Sequence, residues 1–234
     1  MDWTDEALVL SARPQGETSA VAVLLTATHG RHAGLVRGAR SGRGSCALEP
    51  GTLTKAHWRA RLPEHLGTLT LESHHGYGVA LLERPDRLAA LVSACALIEA
   101  GLPEREPHPA LFHAVRTLFE QLDYAAGAEA YVRWEVGLLA ELGFGLELSH
   151  CAVTGVTEGL TAVSPRSGRA VSHKAAAPWA DRLLPLPGFL VGRGGGGEAE
   201  VRHGLLLTGY FLDRHLHGGL PAARRRFAER YGIR

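Results

Sequence analysis

Through roughly the first third of the chain, apolar and polar residues alternate with a period of two. Beyond it the apolar positions recur every three to four residues. The alternating part divides into five short runs, Glu6 to Ala12, Ser19 to Thr26, His32 to Arg37, Leu53 to Leu62 and Leu66 to Glu72. Turn-forming residues separate them at Pro14-Gln15-Gly16, His29-Gly30, Pro50-Gly51 and Pro63-Glu64. This is the pattern of half-buried strands joined by tight connections. Five strands of this length must close on themselves or leave long edges unpaired, and an OB-type barrel is the usual solution.

After Pro85 the stripe Leu88, Leu91, Val92, Cys95 and Ile98 predicts an amphipathic helix stopped by Gly101. Leu111, Val115, Leu118, Phe119 and Leu122 predict a second helix, and Tyr131, Trp134, Leu138 and Leu142 a third, ended by Gly143. Leu207, Tyr210 and Phe211 anchor a further helix, and Pro221 opens a last one. The expected architecture is therefore α+β and multidomain: a β-barrel over residues 1–80 and a helical domain over 81–234. Residues 149–174 lose periodicity and are expected to form a small irregular insertion. Pro185 to Gly197 reads as a mobile connection.

Composition adds constraints. With 25 Lys+Arg against 24 Asp+Glu, a nucleic-acid surface requires local clustering of charge. The three cysteines, Cys46, Cys95 and Cys151, are odd in number and widely spaced, which suits a reducing compartment. The opening MDWTDEALVL lacks a basic leader region, and no apolar run approaches the roughly 20 residues of a membrane span. The chain is expected to be soluble and cytoplasmic, with no membrane association.

Charge does cluster. Arg31, Arg37, Arg40, Arg43, Lys55, Arg59 and Arg61 fall in a span whose only acid is Glu49. The segment Arg37 to Ser45 interleaves arginine with glycine and serine, so backbone can approach phosphates while guanidinium groups neutralise them. Alternation along Lys55 to Arg61 puts Lys55, His57, Arg59 and Arg61 on one face and turns Trp58 toward the core. The bland reading of such a run is a solvated strand face; loop and strand together favour a nucleic-acid-binding surface. Arg224, Arg225, Arg226 and Arg230 form a second concentration, read either as a solvated helix end or as an auxiliary DNA or partner contact. No phosphate-binding loop, nucleophile elbow or His-Glu-x2-His motif occurs, so no enzymatic activity is expected. The His and Cys residues lack zinc-knuckle spacing, so no metal or other cofactor is expected.

Several blocks resemble the RecO family of bacterial DNA repair proteins. They are Trp3 to Leu10, Gly16-Glu17-Thr18-Ser19, Thr28 to Arg40, Leu48-Glu49-Pro50-Gly51, Leu142 to Leu148, Cys151-Ala152-Val153-Thr154-Gly155 and Val163 to Val171. The resemblance spans nearly the whole chain, and Thr28 to Arg40 is its most specific part. It implies an N-terminal OB fold, a helical C-terminal domain and, in many members, a zinc knuckle. It also implies a recombination mediator that binds single- and double-stranded DNA and anneals complementary strands. The implied partners are RecR and the C-terminal tail of single-stranded-DNA-binding protein, with a functional link to RecA loading. At the knuckle this chain keeps Cys151 but has Thr154, Ala170 and His173 where further ligands would stand, so a degenerate, metal-free insertion is expected. Two other readings compete: a protein-protein adaptor on an OB-like barrel that binds no DNA, and a metal-dependent enzyme using His and Cys.

Overall fold

The computed structural model describes residues 1–39, 47–194 and 196–233. The chain folds as two compact units, Met1–Asp123 and Tyr124–Arg234.

In the first unit five strands, β1 (Asp2–Gln15), β2 (Ser19–Thr26), β3 (Gly30–Val36), β4 (Thr52–Arg59) and β5 (Thr68–Gly76), close into a barrel in the order β1-β2-β3-β5-β4. Closure depends on β1, which is long enough to serve two neighbours: Ala7 to Gln15 pair with β2 and Asp2 to Leu8 pair with β4. A register shift between Val9 and Ser11 bends the strand where it changes partner. The last seam is the parallel pairing of Leu35 and Val36 with Thr68 and Leu69. Alternate residues fill the interior: Ala7, Val9, Ala22, Leu24, Ala56, Trp58 and Leu69 are all buried. Trp58 thus lies where its alternation predicted, and its indole N–H donates to the Leu66 carbonyl at 2.9 Å. Small residues make room for it. A Cβ on Gly34 would come within 2.6 Å of Leu69 and 3.3 Å of Trp58.

One helical turn, Tyr77–Ala80, leads to helices α1 (Pro85–Gly101) and α2 (Pro109–Gln121). Strand structure ends at Gly76, but packing gathers both helices with the barrel. Helix α1 lies against β1, where the Cys95 thiol reaches the Val9 carbonyl and Leu91 closes over Gly51. Leu8 and Leu10, which point out of the barrel, are buried as a result. Arg13–Glu99 at 3.1 Å and Arg116–Glu6 at 2.5 Å add ion pairs between helices and barrel. One outer side of the barrel is therefore covered by its own helices.

The second unit contains α3 (Gly127–Glu141), α4 (Gly197–His215) and α5 (Ala222–Glu229), with a small sheet of β6 (Leu160–Val163), β7 (Ala170–Ser172) and β8 (Leu184–Pro185). Three sequence expectations change here. Residues 149–174 are not irregular throughout: β6 and β7 form an antiparallel hairpin, too short for periodicity to reveal. Pro185 to Gly197 is not a loose tether up to its glycines, since Gly188–Val191 form a 3-10 turn whose Phe189 is buried beneath Arg133, 5.0 Å from the ring centre. Glu200 holds the Gly188 N–H and Arg193 reaches the Leu160 carbonyl. Tyr210, read as a core anchor of α4, is 41% exposed, while Leu207 and Phe211 carry the packing.

Candidate nucleic-acid interface

Strand β4 presents its basic residues outward: Lys55, His57 and Arg59 are exposed while Thr54, Ala56 and Trp58 are buried. Strand register, however, adds acids that are distant in the chain. Lys55 sits directly across from Glu6 on β1 and Glu72 on β5, and Arg59 across from Asp2. Residues so placed have Cβ atoms about 5 Å apart, close enough for charges to offset. His57 lies between Thr4, whose hydroxyl is 3.0 Å from its Nδ1, and Thr70. The Lys55 end of the strand is therefore balanced, and net positive charge gathers at the Arg59 end.

That end is reinforced by Arg61, while Arg37, also exposed, leaves β3 alongside Thr70, level with His57. Because Leu35 pairs with Thr68, which in turn pairs with Arg59, the C-terminal end of β3 meets the β4–β5 loop. Beyond Val36 the two strands separate around a groove of about 390 Å³, lined in part by Arg37, Gly38, Thr68 and Thr70. Arg40 and Arg43 lie outside the described residues. Arg31 departs from expectation. Its Nε donates to the Leu102 carbonyl at 2.8 Å, its guanidinium stands 3.5 Å from Glu104, and its side chain is only 17% exposed. It fastens the segment after α1 to the barrel, so it has little capacity left for a phosphate.

The same segment closes one end of the barrel. The Arg105 N–H donates to the Arg31 carbonyl at 2.8 Å, and the Arg105 guanidinium donates to the His65 carbonyl at 3.2 Å. At that end the half-buried Trp3 stacks on His29 at 4.5 Å and on the buried Trp58 at 5.8 Å, with His32 edge-on to both indoles. Burial, followed by the positive charge of Arg105, pushes His32 down to about 4, so it packs as a neutral ring. Asp5 secures the β2–β3 turn by accepting from the Thr28 N–H at 2.7 Å and from His29 at 3.0 Å. Desolvation opposes its charge, but these hydrogen bonds win and hold its carboxyl below the usual range.

The C-terminal arginines divide. Arg224 is not a surface contact: it is 1% exposed, with Nε 2.5 Å and a terminal nitrogen 3.0 Å from the Glu135 carboxylate, and it also donates to the Leu205 carbonyl. Its position on the buried face of α5, beside Phe227 and Ala228, could not be told from a run of three arginines. Arg225, Arg226 and Arg230 are exposed, and Arg225 turns back to the Leu220 carbonyl.

The residues around Cys151 do not fit a zinc ion. Its sulfur accepts the Ser172 N–H at 3.3 Å, and Thr154 also hydrogen-bonds to it. Desolvation raises this thiol, but the Ser172 and Thr154 hydrogen bonds outweigh it and bring it down to about 6. Ala170 offers no ligand atom, and among the described residues no group of three or more His, Cys, Asp or Glu could hold a metal. Hydrogen bonds to sulfur take the place that metal bonds would fill. The purified chain is expected to hold no stoichiometric zinc and to melt at the same temperature with or without a chelator. About one zinc per chain by elemental analysis, with unfolding on its removal, would contradict this.

Comparison with known proteins bears on the whole chain. Residues 1–77 match the family model described as Recombination protein O N terminal, and residues 82–224 match Recombination protein O C terminal. A protein of Rhodospirillum centenum named DNA repair protein RecO is 61% identical over 237 residues, covering 99% of this chain and 95% of that protein. Proteins of the same name from Rhodospirillum rubrum and Cereibacter sphaeroides are 50% and 48% identical over 98% of the chain. The β1 opening, the turn held by Asp5 and the Cys151 loop all fall within these matches, and the chain belongs to the RecO family.

Proposed function

We propose that this chain acts in DNA repair and recombination as a non-catalytic mediator whose barrel, of the OB type, binds single- and double-stranded DNA. The observation that carries this reading is the outer face of β3, β5 and β4. On it Lys55, His57, Arg59 and Thr70 are exposed, with Arg61 beyond Arg59 and Arg37 across β5 from His57. Arginines on an exposed strand face and its loops neutralise phosphates without reading bases. Two strands so screened can approach and pair, which gives annealing with no bond made or broken. The names of the similar proteins support the repair context. In the functional division proposed here, residues 1–80 hold DNA, while the helical part, 81–234, meets RecR and the acidic tail of single-stranded-DNA-binding protein and assists RecA loading in the cytoplasm. Among the described residues no helix is long and apolar enough to cross a membrane.

Annealing of complementary oligonucleotides tests this reading. Replacing Arg37, Arg59 and Arg61 together by alanine should slow annealing in proportion to the loss of single-strand binding. Because the three side chains are exposed, stability should stay within about 0.5 kcal/mol of wild type. A folded variant that anneals at the wild-type rate would move the site elsewhere, with Arg225, Arg226 and Arg230 the next candidates.

A further inference from the structure

The β4–β5 loop, residues 60–67, carries an arrangement that phosphate binding does not use. Leu62 and Leu66 are each 44% exposed at the barrel end where Arg59 and Arg61 gather. Exposed leucines on a mobile loop would carry no message, but this loop is fastened along its length. The Met1 ammonium donates to the Ala60 carbonyl at 2.8 Å, and the His65 N–H closes a turn onto the Leu62 carbonyl at 3.2 Å. Arg105 holds the His65 carbonyl, the Trp58 indole holds that of Leu66, and the Leu35 N–H holds that of Gly67 at 3.0 Å. Gly67 has φ of +66° and lies so close to Trp58 that a Cβ would come within 2.5 Å of the indole nitrogen. The core tryptophan thus fixes the loop's path, and the two leucines are held in water at a cost that folding alone does not require.

We infer that Leu62 and Leu66 are the base-contacting element of this barrel: apolar side chains that lie against unstacked bases while Arg59 and Arg61 hold the flanking phosphates. The inference rests on the proposed DNA binding and adds a preference for single strands. Its occupant is set by charge and shape together. Arg59, Arg61 and Arg105, whose guanidinium holds the His65 carbonyl, outnumber Asp2 and Glu64 around the leucines, which favours a polyanion, and a polyanion with accessible apolar faces is an unpaired nucleic-acid strand. Duplex DNA buries its base faces in the stack and offers the leucines nothing unless it is first opened, as when apolar wedges enter base steps.

Leu62→Ser/Leu66→Ser and Leu62→Trp test this in the full chain. The probes are a labelled single-stranded oligonucleotide and a duplex of the same length. The double serine variant should bind the single strand about 5- to 20-fold more weakly, given 1–3 kcal/mol for a stacked base and less for leucine. Its duplex affinity and the salt slope of both probes should match wild type, since every arginine that neutralises phosphate is kept. Leu62→Trp should bind the single strand at least as tightly as wild type, with its added fluorescence quenched by the single strand but not by the duplex. Unchanged single-strand affinity in the serine variant would overturn the inference, as would equal losses on both probes. A serine variant that keeps its DNA affinity but loses an acidic peptide bound by wild type would also overturn it, in favour of a protein-docking loop. If wild type binds neither probe, it is the proposed DNA binding itself that fails.

Discussion

Replacing Arg224 by alanine is expected to destabilise the second unit by about 3–5 kcal/mol, the usual cost of stranding one partner of a buried ion pair. In a unit of this size that lowers the melting temperature by roughly 10–20 °C. The Glu135 carboxylate is completely buried, and its partners are the Arg224 guanidinium and the Thr208 hydroxyl at 2.5 Å. Burial works against the charge on Arg224, but Glu135 more than restores it and raises the guanidinium above its ordinary value. Losing Arg224 leaves Glu135 without its charged partner and the Leu205 carbonyl without its guanidinium donor. Removing both charges is a different experiment. Glu135→Leu with Arg224→Met should recover much of the loss, because apolar residues of similar size often replace a buried pair at little cost. Thermal unfolding checks both variants. An Arg224→Ala protein that melts within a degree or two of wild type would mean that the pair is not formed in solution.

Gly30→Ala is expected to destabilise the first unit by about 2–5 kcal/mol, combining a left-handed backbone penalty with a steric one. Gly30 has φ of +68°, and a Cβ there would lie 2.0 Å from the Glu106 carbonyl oxygen. Backbone cannot swing aside as a flexible side chain can. Either β3 or the segment that Arg31 and Arg105 fasten to it must move. Gly16 supplies the control: it has the same φ of +68° but nothing within 4 Å of the added carbon, so Gly16→Ala should cost only the backbone term, about 1–2 kcal/mol. The difference between the two, read by denaturant unfolding, measures how firmly residues 102–106 dock on the barrel. Equal losses would show that they do not dock there.

These two predictions rest on features of very different visibility in the sequence. The five strands were legible because alternation is strong where one face fills a barrel, and Trp58 followed from its parity among Lys55, His57 and Arg59. The helices of the first unit were legible for the same kind of reason. Helix α2, for example, buries Leu111, Val115, Leu118 and Phe119, the stripe that predicted it. What could not be read was whatever depends on partners far apart in the chain. Arg31 looked like its neighbours in a basic run until Leu102 and Glu104 met it in space. Arg224 looked as solvated as Arg225 and Arg226 because nothing local marks Glu135, 89 residues away, as its partner. Asp2, Glu6 and Glu72 temper the β4 face, and they were invisible to a count confined to residues 31 to 61. The β6–β7 hairpin was missed because strands of four and three residues carry too little alternation to distinguish from turns.

The central claim is that the barrel holds nucleic acid through phosphate contacts made by arginines on and beside its exposed β4–β5 face. It is tested most directly by the salt dependence of single-strand binding, measured by titrating a labelled oligonucleotide from roughly 50 to 200 mM salt with wild type and with the Arg37, Arg59 and Arg61 triple alanine variant. For wild type the logarithm of the binding constant should fall linearly with the logarithm of salt concentration. For the variant, binding should be weaker and the slope shallower by about 2, at roughly 0.7 for each single-strand phosphate no longer neutralised. A variant that folds normally and retains both the wild-type affinity and the wild-type slope would contradict the account.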